Sequence, residues 1–353
     1  QPSHEPLSMH TAAQESFVKR NEFEDRSMTR THAIRVEKHG GPQQMKWVEV
    51  DLPAPAKGEV RLKNLACGVN FIDVYHRTGL YPMAMPTGIG LEACAVVEEV
   101  GEGVTGLKTG DRVAHGTGPI GAYCERRNFP ADKLIKVPES IPDQVAAAMM
   151  LQGMTVEYLI HRTYAVQKGD FVLLHAAAGG IGTIASQWLN RLGAQIIGTA
   201  GSPEKLELAK AQGCHHVINY RTEDWVKRVK EITGGQGCAV VYDGVGKDVF
   251  LQSLDCLRPR GYMVTFGNAS GPSPDISPLL LSQKGSLFLT RPTLMAYTAT
   301  RPELELSANR VIEAIAKGWV KMKVGHTYAV KDATQAHRDL EGRKTTGSIV
   351  LLP

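Results

Sequence analysis

The stretch Ala177-Ala178-Gly179-Gly180-Ile181-Gly182 constrains this chain more than any other. It follows a run with the character of a buried strand, Phe171 to Ala176, and opens the amphipathic segment Ile181 to Leu192. A second apolar run, Gln195 to Thr199, comes next. Strand, glycine loop, helix and strand in that order form a βαβ unit, and the loop fits the dinucleotide fingerprint G-x-G-x-x-G except that Ala177 takes the first glycine's place. The middle glycine lets the backbone approach a pyrophosphate, and the last lets helix and strand pack closely. A helix start at Ile181 offers unpaired N–H groups and a positive dipole end to phosphate.

The alternation continues downstream: helix Glu204 to Gln212, strand His216 to Ile218, helix Glu223 to Thr233, strand Ala239 to Tyr242, helix Asp248 to Leu257 and strand Tyr262 to Phe266. Such a pattern predicts a doubly wound parallel sheet of α/β class. Upstream, Thr31 to about Gln152 reads as mainly β. His32 to Val36 and Glu59 to Lys63 alternate apolar and polar, Leu91 to Val100 is a longer apolar run, and prolines block long helices. From Ala147 to Tyr164 the spacing is helical, and the tail predicts a helix at Ser307 to Lys317 and a last strand at Ser348 to Leu351.

Composition narrows the partners. The 353 residues carry a net charge of +4, too small to predict nucleic-acid binding, and no run reaches the ~18 apolar residues of a membrane span. Six cysteines without a CxxC or a Cys/His cluster read as reduced thiols in a reducing, cytoplasmic compartment. Residues 1–27 carry a net −2 and few large apolar groups, and read as a polar extension or leader.

The end of the second strand selects the cofactor. An NAD site places an acid there for the ribose 2′-OH. This chain has Thr199-Ala200-Gly201-Ser202, with Lys205 following. A hydroxyl and an ammonium suit a 2′-phosphate that a carboxylate would repel, so NADPH is expected.

The segments Asn70 to Tyr75, Gly79 to Pro82, His175 to Gly180, Val217 to Tyr220, Phe266-Gly267-Asn268 and Thr290-Arg291-Pro292 together resemble the zinc-free medium-chain dehydrogenases/reductases, and within them the NADPH-dependent quinone oxidoreductases of the zeta-crystallin-like group. The likeness runs from about Thr31 to Pro353. It implies a Rossmann NADPH-binding domain (154–290) inserted into a mainly β, GroES-like catalytic domain (28–153 and 291–353), with the active cleft between them. It also implies a homodimer, for which Ser286 to Leu289 is the candidate edge strand. Where the alcohol-dehydrogenase branch carries a zinc-binding cysteine and histidine, this chain has Asn70 and Leu91, so no metal is expected.

A metal-free site suits an acceptor needing little Lewis-acid help. Reducing a ketone makes an alkoxide, with water's pKa of about 15.7 as a guide, whereas reducing a quinone makes a phenolate-like oxygen near 10. The gap of roughly 5 to 6 units is about 7 to 8 kcal/mol of product stability, part of which reaches the transition state. By the resemblance, Asn70, Tyr75 and Tyr81 line the substrate side. Cofactor contacts carry over to Asn70, Gln152, Thr155, Gly179, Gly180, Ile181, Gly201, Ser202, Lys205, Tyr220, Phe266, Asn268 and Arg343. Two alternatives stand beside quinone reduction: a zinc-free NADPH-dependent reductase of α,β-unsaturated ketones or aldehydes, and a crystallin-like RNA-binding protein.

Overall fold

The computed structural model describes residues 28–353, so the expected polar extension lies outside the described residues. Strands β1 (Thr29–Val36) and β2 (Met45–Leu52) form an antiparallel pair. A seven-stranded sheet follows, from β3 (Glu59–Val69), β4 (Glu92–Val100), β5 (Arg112–His115), β6 (Arg126–Pro130), β7 (Ile135–Lys136) and, from the tail, β14 (Val324–Ala329) and β15 (Ser348–Leu352). Between these lie the strands of a six-stranded sheet: β8 (Phe171–Leu174), β9 (Gln195–Ala200), β10 (His216–Asn219), β11 (Cys238–Asp243), β12 (Leu257–Thr265) and β13 (Phe288–Thr290). The GroES-like plus Rossmann α/β architecture expected from the sequence is what the chain adopts.

The six-stranded sheet is parallel throughout, in the order β10-β9-β8-β11-β12-β13. Every residue of β11 is buried, as the central strand of a sheet covered on both faces must be. The strand order reverses between β8 and β11, and ligands bind in the crevice outside the carboxyl ends at such a point. The Ala177–Gly182 loop leaves β8 there.

Helix Asp143–Tyr158 is buried continuously from Ala146 onward. It packs on β3 and β4, on helix Gly180–Arg191 and on helix Arg301–Ala316. A helix apolar all round belongs to an interior, and this one carries Gln152 and Thr155 into the space between the sheets. The pairing of β15 with β3 brings the tail to the same place, and Gly347 donates its N–H to the Ala178 carbonyl at 3.3 Å.

Several elements differ from expectation. Helix Phe71–Thr78 lies in the half read as mainly β, and β2, β14 and helix Ala333–Glu341 went unanticipated. The helix expected over Asp248 to Leu257 is confined to Phe250–Leu254, because β12 begins at Leu257.

Candidate active site

A cleft of about 960 Å³ opens at the carboxyl ends of β8 and β11 and is walled by both sheets. Of the residues singled out in the sequence, Asn70, Tyr75, Tyr81, Gln152, Thr155, Gly179, Gly180, Ile181, Gly201, Lys205, Tyr220, Phe266 and Arg343 line it. Ser202 and Asn268 stand behind the wall. The Ser202 hydroxyl caps helix Pro203–Ala211 by accepting the Lys205 N–H at 3.4 Å, and Asn268 holds two tyrosines.

The glycines of the loop are required by close approaches. A Cβ on Gly180 would stand 2.5 Å from Oε1 of Gln152, and one on Gly182 would strike the Ala176 carbonyl. Gly179 precedes helix Gly180–Arg191 and has only the Ala176 carbonyl near its missing side chain, at 3.3 Å. The result is bare backbone at a helix N-terminus, the arrangement that fits a pyrophosphate.

At the end of β9 the cleft is cationic. Arg343 Nη1 donates to the Tyr220 hydroxyl at 3.2 Å, and Lys205 Nζ donates to the Arg343 carbonyl at 2.8 Å. The Arg221 guanidinium lies 5.9 Å from the Tyr220 ring centre. Burial, with Arg221 and Arg343 adding to it, lowers the Lys205 pKa. The acid beside these groups, Asp248, is 3.8 Å from Arg343 and exposed. Cations gathered around a phenol form a site that an added phosphate would relieve. Arg221 was missed in the sequence because nothing local distinguishes it from a solvated arginine.

The opposite end is built on helix Phe71–Thr78. A buried polar chain fixes Asn70: its amide nitrogen donates to Glu92 Oε2 at 2.8 Å, and its amide oxygen accepts from Gln152 Nε2 at 3.0 Å. Gln152 Oε1 in turn accepts the Ser348 hydroxyl at 2.8 Å, and Glu92 Oε1 accepts the Leu151 N–H at 2.9 Å. Burial pushes the Glu92 carboxyl up to about 8. Asn70 thus faces the cleft with its second amide hydrogen uncommitted among the described residues.

The two tyrosines play different parts. Tyr75 Oη accepts the Asn268 backbone N–H at 2.9 Å, its own proton has no acceptor among the described residues, and burial raises its pKa to about 12. Tyr81 Oη accepts from Arg291 Nη2 at 3.0 Å. With the Asn268 amide oriented to satisfy its neighbours, its oxygen accepts from Tyr81 Oη and from Arg291, both at 3.1 Å, and its nitrogen donates to the Gly267 carbonyl. Tyr81 is therefore occupied in both directions.

The alcohol-dehydrogenase fold raises the question of zinc. Asn70 and Leu91, which the resemblance puts where zinc ligands would stand, offer an amide and an alkyl group, and Glu92 is bound to Asn70 and Leu151. No group of three His, Cys, Asp or Glu among the described residues is placed to hold a metal. The donor set does not fit zinc.

Comparison with known proteins agrees with the fold. Residues 56–139 match the Alcohol dehydrogenase GroES-like domain, and residues 180–311 match the Zinc-binding dehydrogenase family. A quinone oxidoreductase of Salmonella typhimurium is 49% identical over 326 residues, covering 91% of this chain and all of that protein. A 2-haloacrylate reductase of a Burkholderia species is 48% identical, covering 91% of this chain and 98% of that protein. The crystal structure of Escherichia coli quinone oxidoreductase complexed with NADPH superposes with a TM-score of 0.90 at 47% identity, over 91% of this chain and all of that one.

Proposed function

The chain belongs to the quinone oxidoreductases of the medium-chain dehydrogenase/reductase family, and on that footing we propose that it transfers a hydride from NADPH to quinones without a metal. The observation that carries this reading is the polarity of the cleft. One end gathers Lys205, Arg221 and Arg343 around Tyr220, and the other presents the uncommitted Tyr75 hydroxyl. NADPH, when bound, supplies the hydride.

The chain's own residues then bind, orient and stabilise. Gly179, Gly180 and Ile181 would hold the pyrophosphate on backbone N–H groups, and Lys205 with Arg343 would take the 2′-phosphate, Arg221 adding charge. Gly201 leaves room for Tyr220, whose hydroxyl would stand 2.7 Å from a Cβ there. Gln152, Thr155 and Phe266 line the cleft and would border the nicotinamide, and Asn70 is locked in one orientation by Glu92 and Gln152. Tyr75 keeps its proton at neutral pH and donates it as a hydrogen bond to the oxygen on which negative charge develops. Asn268 holds Tyr75 and Tyr81 from behind, and solvent completes the hydroquinone.

The same reading divides the chain into a catalytic domain of residues 28–153 and 291–353 and a nucleotide domain of residues 154–290. It includes a homodimer joined at β13 and a cytoplasmic setting, which six buried, unpaired thiols suit. No helix among the described residues is long and apolar enough to cross a membrane. A second reading, reduction of α,β-unsaturated carbonyl compounds, is supported by the kinship with the 2-haloacrylate reductase.

The test is NADPH oxidation at 340 nm with 1,4-benzoquinone and with an alkenone, before and after exhaustive chelation. Rapid quinone turnover with equimolar hydroquinone, unchanged by the chelator, is expected. Loss of activity restored by added zinc would contradict the metal-free reading, and faster alkenone turnover would favour the second one.

A further inference from the structure

Lys205 and Arg343, with Arg221 behind them on Tyr220, account for the cationic end of the cleft, but a further cation, Arg291, lines it beside Tyr81. Arg291 follows β13 directly, and Pro292 after it fixes the backbone as the chain leaves the sheet. Its side chain is exposed, and its hydrogen-bond partners among the described residues are both neutral: the Tyr81 hydroxyl at 3.0 Å and the Asn268 amide oxygen at 3.1 Å. Both bonds use Nη2. A guanidinium carries five N–H donors in a planar fork, so Nη1 and Nε remain available.

The charge is felt inside the cleft. Arg291 is among the groups that draw the Tyr75 and Tyr158 hydroxyls and the Asp243 carboxyl back down from where burial places them. Ile72, Leu294 and Met295 are among the apolar residues that line the same cleft. An aromatic acceptor lying there would meet one fixed cation, held in place by Tyr81 and Asn268 and with no carboxylate within hydrogen-bond distance among the described residues.

We propose that Arg291 is a specificity-determining residue that docks an anionic substituent, a carboxylate or a sulfonate, on the quinone acceptor. The proposal rests on the quinone-reducing assignment above and names its substrate class. With Nη2 committed to Tyr81 and Asn268, Nη1 or Nε can donate a single charge-assisted hydrogen bond to an oxygen of a carboxylate or sulfonate. The reaction is otherwise unchanged: NADPH, a proton and the quinone give NADP⁺ and the hydroquinone, and the bond to the anionic substituent stays intact. Tyr81, occupied in both directions, is the positioning residue that aims Arg291.

The experiment measures kcat/KM for 1,4-naphthoquinone and for 1,4-naphthoquinone-2-sulfonate with the wild-type protein, Arg291→Ala and Arg291→Lys, at low and high salt. The expected result is a fall of at least about tenfold in the sulfonate-to-neutral ratio in Arg291→Ala, carried mainly by KM and partly recovered in Arg291→Lys. High salt should shrink the wild-type ratio and leave that of Arg291→Ala unmoved. An unchanged ratio in Arg291→Ala, whatever happens to the absolute rates, overturns the proposal and leaves quinone reduction standing. A wild-type protein that turns over neither quinone overturns the underlying assignment and the proposal with it. Circular dichroism and NADPH titration of both variants separate a docking effect from misfolding.

Discussion

At the scale of single residues, the cleft separates groups that bind from groups that place other groups. Lys205 donates to a backbone carbonyl and Arg343 to a phenol, so neither loses an intramolecular ion partner within hydrogen-bond distance when it turns to a phosphate. Charge-assisted bonds of this kind are worth about 1.5–3 kcal/mol each, roughly ten- to a hundredfold in affinity. Lys205→Ala should therefore weaken NADPH binding by at least about tenfold in a fluorescence titration while moving the NADH dissociation constant less than threefold. Equal losses for the two cofactors would remove Lys205 from the 2′-phosphate. The tyrosines give a second prediction. Tyr75→Phe deletes the free donor and should lower quinone kcat by about tenfold or more, with the NADPH dissociation constant little changed. Tyr81→Phe should act chiefly on KM, because it frees Arg291 rather than removing a donor from the acceptor. Steady-state kinetics of the pair would show the reverse ranking if Tyr81 were the donor.

At the scale of elements, Glu92 shows how one strand sets the chemistry of a helix. From β4 it reaches the Leu151 N–H inside helix Asp143–Tyr158 and the Asn70 amide ahead of helix Phe71–Thr78. Its carboxyl is raised to about 8 by burial, so between the ordinary carboxylate range and about pH 8 the native state holds a proton that the unfolded chain has released. Native stability from this group therefore falls as pH rises through that window and levels off above it. Glu92→Gln removes the ionisation. Relative to the variant, the wild type should lose on the order of 2–3 kcal/mol between pH 5.5 and pH 8 in urea denaturation, with Asp73 and Asp243 titrating alike in both proteins. Parallel pH curves would place the titration elsewhere. Glutamine also cannot accept at both ends, so the Asn70 amide should reverse and let go of Gln152, lowering kcat.

Local pattern explains what the sequence disclosed. The alternation from β8 to β12 was legible because its central strands β8, β9 and β11 are largely buried and glycine or polar turns separate strand from helix. Helix Phe71–Thr78 is eight residues long and set among glycines and prolines, and helix Ala333–Glu341 is largely polar, with only Ala333, Ala336 and His337 buried. Both are fixed by tertiary contacts that no short window contains. The same holds in the cleft. Tyr75 and Tyr81 look equivalent in the sequence, and only Asn268 and Arg291, about 190 and 210 positions away, assign them different tasks.

At the scale of the whole molecule, β13 ends the six-stranded sheet with an edge unpaired among the described residues. It is three residues long, Phe288 and Leu289 are 51% and 36% exposed, and nearby Leu279 is 63% exposed. Phe288 stacks on Tyr262 with ring centres 4.7 Å apart, so the edge is held rigid by its own sheet. An edge of this kind invites either uncontrolled pairing or one defined partner, and proteins usually blunt it with charge when no partner exists. Here the strand itself carries no charge, although Arg291 follows it. A second copy meeting the same edge in two-fold register would pair the free backbone groups and bury the apolar side chains in one step, a self-complementary contact. Light scattering after gel filtration should give twice the chain mass for the intact protein. Phe288→Glu combined with Leu289→Lys should shift it to the monomer, because a charged pair on a desolvated seam costs several kcal/mol. The β13 edge also leads straight into Arg291, so the monomeric variant should lose acceptor affinity while keeping NADPH binding at the far end of the cleft. A double variant that remains dimeric would move the interface away from β13.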